Sequence, residues 1–155
     1  MSKKVILITG ASSGMGKESA KALIQQGHTV YTVARRIDQM QDLKKLGGHP
    51  IQMDVTKESD IQNVVETIIQ KEGKIDVLWN NAGYGLYGSI EDVSIDEARK
   101  QMEVNVFGMA AMTQKVVPYM RKANAGTIIN TSSMGGKCIF LWVLGITPAN
   151  TLLKD

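Results

Sequence analysis

The stretch Thr9-Gly10-Ala11-Ser12-Ser13-Gly14-Met15-Gly16 decides how this chain folds. It follows a short, continuously apolar run at residues 5–8, which is typical of a parallel strand buried on both faces. A helical pattern over residues 15–26 begins at its end. The glycines permit a tight turn, and the helix N-terminus offers free N–H groups and a positive dipole end. Such a unit is typical of a pyrophosphate-binding site, although glycines also serve simply to turn a chain.

Strand-like and helix-like patterns alternate along the rest of the chain. Further strands are predicted over residues 29–33, 51–53, 75–79 and 127–130, and further helices over residues 57–72, 94–107 and 108–123. Pro118 is expected to kink or break the last helix. The order β-α-β-α-β-α-β-α-α-β predicts an α/β fold, a Rossmann-like doubly wound parallel sheet with helices on both faces. Residues 1–137 are predicted to form one dinucleotide-binding domain.

The composition narrows the classes of partner. A net charge of +3, spread along 155 residues, is weak evidence for nucleic-acid binding. The single cysteine, Cys138, allows no disulfide and no multi-cysteine metal site within one chain, which suits a reducing, cytoplasmic compartment. The apolar runs are shorter than the roughly 20 residues that span a bilayer. We therefore expect a cytoplasmic protein with neither nucleic-acid nor membrane partners and without a metal.

Five stretches, in this order, resemble the classical short-chain dehydrogenase/reductase family. They are the T-G-x-x-x-G-x-G turn at residues 9–16, Asp54-Val55, Asn80-Asn81-Ala82-Gly83, Val104-Asn105-Val106 and Ile129-Asn130-Thr131-Ser132-Ser133. The resemblance extends over residues 3–137, with each stretch at the expected end of a predicted strand or within a predicted helix.

The resemblance implies an NAD(P) cofactor and a small carbonyl or secondary alcohol substrate. It implies that Ser133 hydrogen-bonds the substrate oxygen and that Asn105 helps to hold a water that relays a proton. The residues implied to bind the cofactor are Gly10, Ser12, Ser13, Gly14, Met15, Gly16, Arg35, Arg36, Asp54, Val55, Asn81, Ala82 and Gly83. It also implies a sheet in the order 3-2-1-4-5-6-7, of which this chain holds about five strands, and a homo-oligomer that is doubtful for so short a chain.

Each of these residues also has a purely structural interpretation. Asp54 is a suitable turn cap, and residues 81–83 suit a plain strand-to-loop turn. Asn105 is equally suited to be a buried amide bonded to backbone, and Ser132 and Ser133 to be ordinary strand-end serines. Their occurrence together and in register favours the functional interpretation.

Arg35-Arg36 ends the second predicted strand, where a dinucleotide fold meets the adenosine ribose. An acidic residue there accepts from the 2′-hydroxyl of NAD, whereas an arginine accommodates the 2′-phosphate of NADP. No Asp or Glu occurs between His28 and Ile37. The pair is therefore expected to favour NADP over NAD, with solvated charges as the alternative; Lys17, near the glycine turn, is a further candidate to assist with phosphate.

The family's Tyr and Lys pair, Y-x-x-x-K, is absent from its expected place. A lysine one helical turn after the tyrosine lowers the pKa of the phenol, so that it exchanges protons near neutral pH. Counting thirteen residues from Ser133 gives Ile146, and the lysine position is Asn150. With this pair missing, we expect at most residual activity. The alternative is a non-catalytic nucleotide-binding fragment able at most to associate with intact subunits.

Residues 138–155 are predicted to be an aberrant tail on a truncated chain. Read one base out of step from Lys137, the codons permit a sequence with Tyr at position 146 and Lys at position 150. We therefore expect a frameshift, with a genuine divergent tail as the alternative. The fifth strand would then be an uncovered edge, so marginal stability is expected.

Overall fold

The computed structural model describes residues 2–89 and 91–133. The tail over residues 138–155, with Ile146 and Asn150, lies outside the described residues.

Within the described residues, five strands form one parallel sheet. They are β1 (Val5–Thr9), β2 (Thr29–Ala34), β3 (His49–Gln52), β4 (Val77–Asn80) and β5 (Thr127–Asn130). Their spatial order is β3-β2-β1-β4-β5, with every pairing parallel. All five residues of β1 are buried, because β1 has strands on both sides and helices on both faces. The predicted Rossmann-like sheet is confirmed.

In the same described part of the chain, five α-helices connect the strands. They are α1 (Gly14–Gln25), α2 (Gln41–Lys45), α3 (Glu58–Glu72), α4 (Ile95–Met102) and α5 (Met109–Lys122). A 3₁₀ turn (Ile37–Met40) precedes α2, and a π-helical segment (Glu103–Gly108) joins α4 to α5.

The side chains of β1 alternate between two cores. Val5 and Leu7 pack in a core that also holds buried residues of α3 and α5. Ile6 and Ile8 pack on the opposite face with residues of α1, the 3₁₀ turn and α2. The continuous apolar run therefore serves both layers, which is why it lacks the alternation of a half-exposed strand.

Two predicted helices differ from the observed ones. The single helix expected over residues 94–107 is α4 followed by the π-helical segment. The break expected at Pro118 is wrong, since α5 continues through that residue. Proline removes one backbone hydrogen bond, but Met112, Val116 and Met120 on the same helix are buried, and their burial offsets that loss.

β5 is the least covered strand of the sheet. It pairs with β4 over its whole length, and β4 is its one strand neighbour among the described residues. All four of its residues are exposed, with Ile128 at 37% and Ile129 at 40%. Two β-branched apolar side chains are thus exposed on a strand whose sequence is typical of a buried strand.

Candidate functional site

A cleft of about 600 Å³ opens at the carboxyl edge of the sheet. Ligands of doubly wound sheets bind at this edge, because the turns that follow the strands converge there. Fourteen of the fifteen predicted site residues line the cleft: Gly10, Ser12, Ser13, Gly14, Met15, Arg35, Arg36, Asp54, Val55, Asn81, Ala82, Gly83, Asn105 and Ser133. Motifs from five separate parts of the chain thus face one space.

The glycine turn forms part of the cleft lining. Gly10 has φ +68°, and a Cβ built there would lie 2.7 Å from the Cα of Ala82. Gly14 has φ +57° with open space around it. Gly10 is therefore required both for its left-handed backbone and for the close approach of the turn after β4.

Gly16, predicted to bind the cofactor, lies outside the cleft lining. A Cβ there would collide with the side-chain amide of Asn81 and would lie 3.0 Å from the carbonyl oxygen of Gly10. Its lack of a side chain allows α1 to pack closely against the turns. Spacing alone cannot separate a glycine that faces a ligand from one that faces protein.

Reciprocal hydrogen bonds join the turns after β1 and β4. The Thr9 hydroxyl oxygen accepts from the backbone N–H of Asn81 (3.0 Å) and of Ala82 (2.9 Å). The Asn81 side-chain amide donates to the carbonyl oxygens of Thr9 (3.1 Å) and Gly10 (3.3 Å). We refer to this arrangement of Thr9, Gly10, Asn81 and Ala82 as the turn clasp. The anchoring role of Thr9 was not predicted, because its partners lie far away in the sequence.

The N-terminus of α1 opens beside the glycine turn. Its N-cap residue, Ser13, is extended and makes no side-chain capping bond, and the first turn carries no acidic residue. The first N–H groups of a helix lack intrahelical partners and carry positive partial charge. Anionic oxygens of a ligand therefore meet a favourable field here.

Asn105 holds the chain that follows Gly83. Its side-chain Oδ1 accepts from the Tyr84 N–H (3.1 Å), and its Nδ2 donates to the Tyr84 carbonyl oxygen (2.9 Å). Gln101, fully buried, donates to the same carbonyl at 3.0 Å. The interpretation of Asn105 as an amide bonded to backbone fits this geometry, and Asn105 lines the cleft as well. The contribution of Gln101 was missed; its position four residues before Asn105 on an amphipathic helix was the available signal.

Asp54 combines a turn cap with a place on the cleft wall. Its carboxylate accepts from the backbone N–H (3.0 Å) and the hydroxyl (2.8 Å) of Thr56, as its structural interpretation required. Partial burial raises its pKa, but the bonds from Thr56 and the charge of Arg35 outweigh this effect and hold the pKa of Asp54 below its ordinary value. Asp54 is therefore an anionic acceptor near neutral pH.

Arg35 and Arg36 are exposed where β2 ends. Within residues 2–89 and 91–133, neither guanidinium makes an ion pair. Lys17 is placed differently from what its sequence position indicates. Its ammonium donates to the Gln39 carbonyl oxygen (2.6 Å) and pairs with Asp42 (3.0 Å), and it does not line the cleft.

The end of β5 brings Thr131, Ser132 and Ser133 to the cleft. The Asn80 amide behind them donates to Asn130 Oδ1 (2.9 Å) and to the Thr113 hydroxyl (3.1 Å), and so ties β4 to β5 and α5. The predicted catalytic serine and asparagine therefore reach the same space as the glycine turn.

Two classes of site find no support in the described part of the chain. Residues 2–89 and 91–133 contain no group of three or more His, Cys, Asp or Glu side chains arranged to hold a metal ion. In the same residues, no helix has the length and hydropathy needed to cross a bilayer.

Curated relatives match most of this chain. A 3-ketodihydrosphingosine reductase of Bacteroides thetaiotaomicron is 45% identical over 136 residues, which is 88% of this chain and 49% of the relative. A 3-oxoacyl-[acyl-carrier-protein] reductase FabG of Thermotoga maritima is 39% identical over 139 residues, which is 86% of this chain and 56% of the relative. The chain thus spans about half the length of these relatives.

Solved structures and a family model agree with these relatives. A short-chain dehydrogenase from Streptomyces avermitilis superposes with a TM-score of 0.93 at 36% identity, over 98% of this chain and 57% of that one. A serine dehydrogenase complexed with NADP+ superposes with a TM-score of 0.88 at 30% identity, over 96% and 62%. The model of the short chain dehydrogenase family matches residues 4–143. The chain therefore belongs to the short chain dehydrogenase family of oxidoreductases.

Proposed function

We propose that the cleft binds NADP in preference to NAD, as part of an oxidoreductase that moves hydride between NADPH and a carbonyl or secondary alcohol. The observation that carries the preference is the exposed pair Arg35 and Arg36 on the cleft lining, directly after β2. Arginine recognises phosphate oxygens with a planar fork of donors. The structurally similar serine dehydrogenase was solved in complex with NADP+, which supports the same cofactor here.

The cleft suits a dinucleotide in each of its parts. The α1 N-terminus and the glycine turn would receive the pyrophosphate, since they line the cleft and the first turn of α1 carries no acidic residue and no side-chain cap. Asp54 and Val55 would contact the adenine, and residues 81–83 would form the opposite wall. NADPH, when bound, supplies the hydride.

The chain's own polar groups define the substrate end. Ser133 would donate a hydrogen bond to the substrate oxygen, which stabilises negative charge as hydride adds to the carbon. Asn105 fixes the backbone of Tyr84, which lines the same cleft as Ser133. Two relatives are named as reductases of 3-keto compounds, so a ketone is the substrate class that we propose.

A second candidate follows from Ile146 and Asn150, which stand where the family's proton-transfer pair is expected. A phenol without a neighbouring lysine is a poor proton donor and acceptor at neutral pH, and here the phenol itself is absent. The chain would then bind the cofactor without turnover. The cytoplasmic location and association with intact subunits remain sequence predictions.

The proposal is tested by cofactor binding followed by turnover. We expect NADPH to bind about tenfold more tightly than NADH, measured by nicotinamide fluorescence. Arg35→Ser with Arg36→Ser should remove the difference, while Arg99→Ser, on an exposed helix face, should leave it. Equal affinity of the unaltered chain for both cofactors would reject the NADP proposal. NADPH oxidation with any ketone would favour the enzyme, and binding without oxidation the nucleotide-binding fragment.

A further inference from the structure

We infer that Lys17 is a positioning residue that holds the backbone carrying Arg35 and Arg36, and that it thereby helps to set the preference for NADP over NAD. The inference rests on the proposed function. It gives Lys17 a role without phosphate contact, because the Lys17 ammonium is engaged with the segment that follows the arginines.

Lys17 fixes the far end of that segment. Its Nζ donates to the carbonyl oxygen of Gln39 at 2.6 Å, and Gln39 lies in the 3₁₀ turn that begins directly after Arg36. The Gln39 N–H in turn donates to the Arg36 carbonyl oxygen at 3.3 Å. The Lys17 side chain is only 20% exposed, so its bond to Gln39 is partly shielded from water. Lys17 on α1 is thus linked to the Arg36 backbone by two hydrogen bonds, both through Gln39.

The backbone at Arg35, where the arginine pair begins, is held by a residue of β3. Gln52 donates through Nε2 to the Arg35 carbonyl oxygen at 3.1 Å, and Gln52 is paired in register with Ala34. The backbone of the arginine pair is therefore held at both ends, while both side chains stay exposed. A binding group whose backbone is already ordered loses less entropy when it meets its ligand.

Lys17 also pairs with an acid on α2, the helix that follows the arginines and the 3₁₀ turn. Asp42 Oδ1 lies 3.0 Å from Lys17, and Asp42 Oδ2 lies 3.5 Å from Lys21. The hydrogen bond from Lys17 is the main cause that holds the pKa of Asp42 below its ordinary value. An anion paired in this way repels a phosphate less and does not compete for the arginines.

Lys21 provides a matched control for charge. It lies one helical turn after Lys17 on α1 and pairs with the same carboxylate, and with Glu18 at 2.9 Å. Unlike Lys17, it makes no bond to the Gln39 carbonyl. Removing either lysine deletes one positive charge beside Asp42, whereas removing Lys17 alone deletes the anchor.

The experiment uses the 155-residue chain and measures the dissociation constants of NADPH and NADH at low and high salt. Lys17→Met should weaken NADPH binding about fivefold at both salt concentrations and change the dissociation constant of NADH by less than about twofold. The effect should not depend on salt, because salt screens charges and not the positioning of the backbone. Lys21→Met should have a smaller effect that disappears at high salt. Lys17→Arg, which keeps the charge and the donors, should restore part of the preference.

Two further measurements separate the explanations. In a background with Arg35→Met and Arg36→Met, Lys17→Met should have no further effect on NADPH; a persisting effect would mean direct phosphate contact and would overturn the inference. Amide hydrogen exchange at Gln39 should be faster in Lys17→Met than in Lys21→Met, a readout that needs no cofactor.

The outcomes distinguish this inference from the proposed function. Equal effects of Lys17→Met and Lys21→Met, or an equal loss for both cofactors, would overturn the positioning role while leaving the NADP preference intact. An unaltered chain without NADPH preference would refute the proposed function and with it the role of Lys17 in specificity.

Discussion

At the scale of the residue, Gly10 is constrained in two ways at once. It combines φ +68° with an approach to Ala82 that leaves no room for a Cβ. Gly27 offers a matched comparison, since its φ is +84° but nothing lies within 4 Å of its virtual Cβ. The two positions separate backbone strain from steric collision.

Gly10→Ala should abolish NADPH binding and destabilise the chain by about 2 kcal/mol or more, because strain and collision add. Gly27→Ala should cost about 1 kcal/mol and leave binding unchanged, since only the left-handed backbone is strained. Urea unfolding and cofactor titration measure both effects. Similar losses in the two variants would show that the contact with Ala82 is unimportant.

At the scale of the element, Tyr31 joins β2 to α3. The side chain is 1% exposed and its hydroxyl donates to Glu72 at 2.8 Å. Burial, followed by the hydrogen bond and the charge of Glu72, raises the pKa of Tyr31 to about 12. The buried phenol thus resists ionisation.

This pKa predicts an alkaline loss of stability. An unfolded tyrosine ionises near pH 10, about two pH units below the folded one. Between these values ionisation lowers the free energy of the unfolded state more than that of the folded state. The contribution of Tyr31 is complete below about pH 10 and is lost as the pH rises towards about 12. Relative to the unaltered chain, Tyr31→Phe should therefore show a shallower decline of unfolding free energy in this window. Tyr87→Phe, at an exposed loop position, should show the same decline as the unaltered chain. An unchanged slope in Tyr31→Phe would contradict the assignment.

The elements that sequence predicts well are those decided by local pattern. The strands end within two residues of their predicted bounds, because continuous apolar runs mark buried parallel strands. The bounds of the 3₁₀ turn and α2 were not predicted, although Met40 and Leu43 are fully buried. Only a few residues form that unit, which is too few to establish a helical period.

The site, like the fold, has a part that local sequence pattern predicts and a part that it does not. Motif residues are found from sequence, since glycine turns and strand-end polar groups carry local signals. The contacts of Lys17 with Gln39 and of Thr9 with Asn81 join separate elements, so no local pattern reveals them. The place of Lys17 away from the cleft lining is not visible in sequence for this reason, and cofactor binding by Gly16 stays a prediction.

At the scale of the whole molecule, the exposed strand β5 is expected to govern solubility. Ile128 and Ile129 present apolar surface on a strand with one described neighbour. Exposed β-branched edges favour intermolecular pairing. Ile129→Lys should therefore slow aggregation on heating, measured by light scattering, without weakening NADPH binding. Leu46→Lys adds the same charge at a residue that is 44% exposed and lies just before β3, at the other end of the strand order from β5. This variant should have little effect on aggregation. Equal protection by both variants would identify net charge as the cause.

The frameshift hypothesis also belongs to this scale, and it stays a prediction because residues 134–155 lie outside the described residues. Sequencing the DNA across the codons of residues 136–138 and beyond decides it. An additional base that restores Tyr and Lys at positions 146 and 150 is the expected result. Absence of that base would make this chain a real truncated product, and a genomic sequence with no base missing relative to an intact relative would exclude a frameshift.

The turn clasp has a consequence for how this cleft can evolve. The side chain of Thr9 bonds to the backbone of Asn81 and Ala82, and the side chain of Asn81 bonds to the backbone of Thr9 and Gly10. Since each anchor recognises main chain, the four bonds depend on the spacing of the two backbones as well as on the side chains of Thr9 and Asn81. An inserted or deleted residue in either turn, however, would move all four bonds out of register together. We therefore expect the length of both turns to tolerate less change than the side chains that lie outside these contacts.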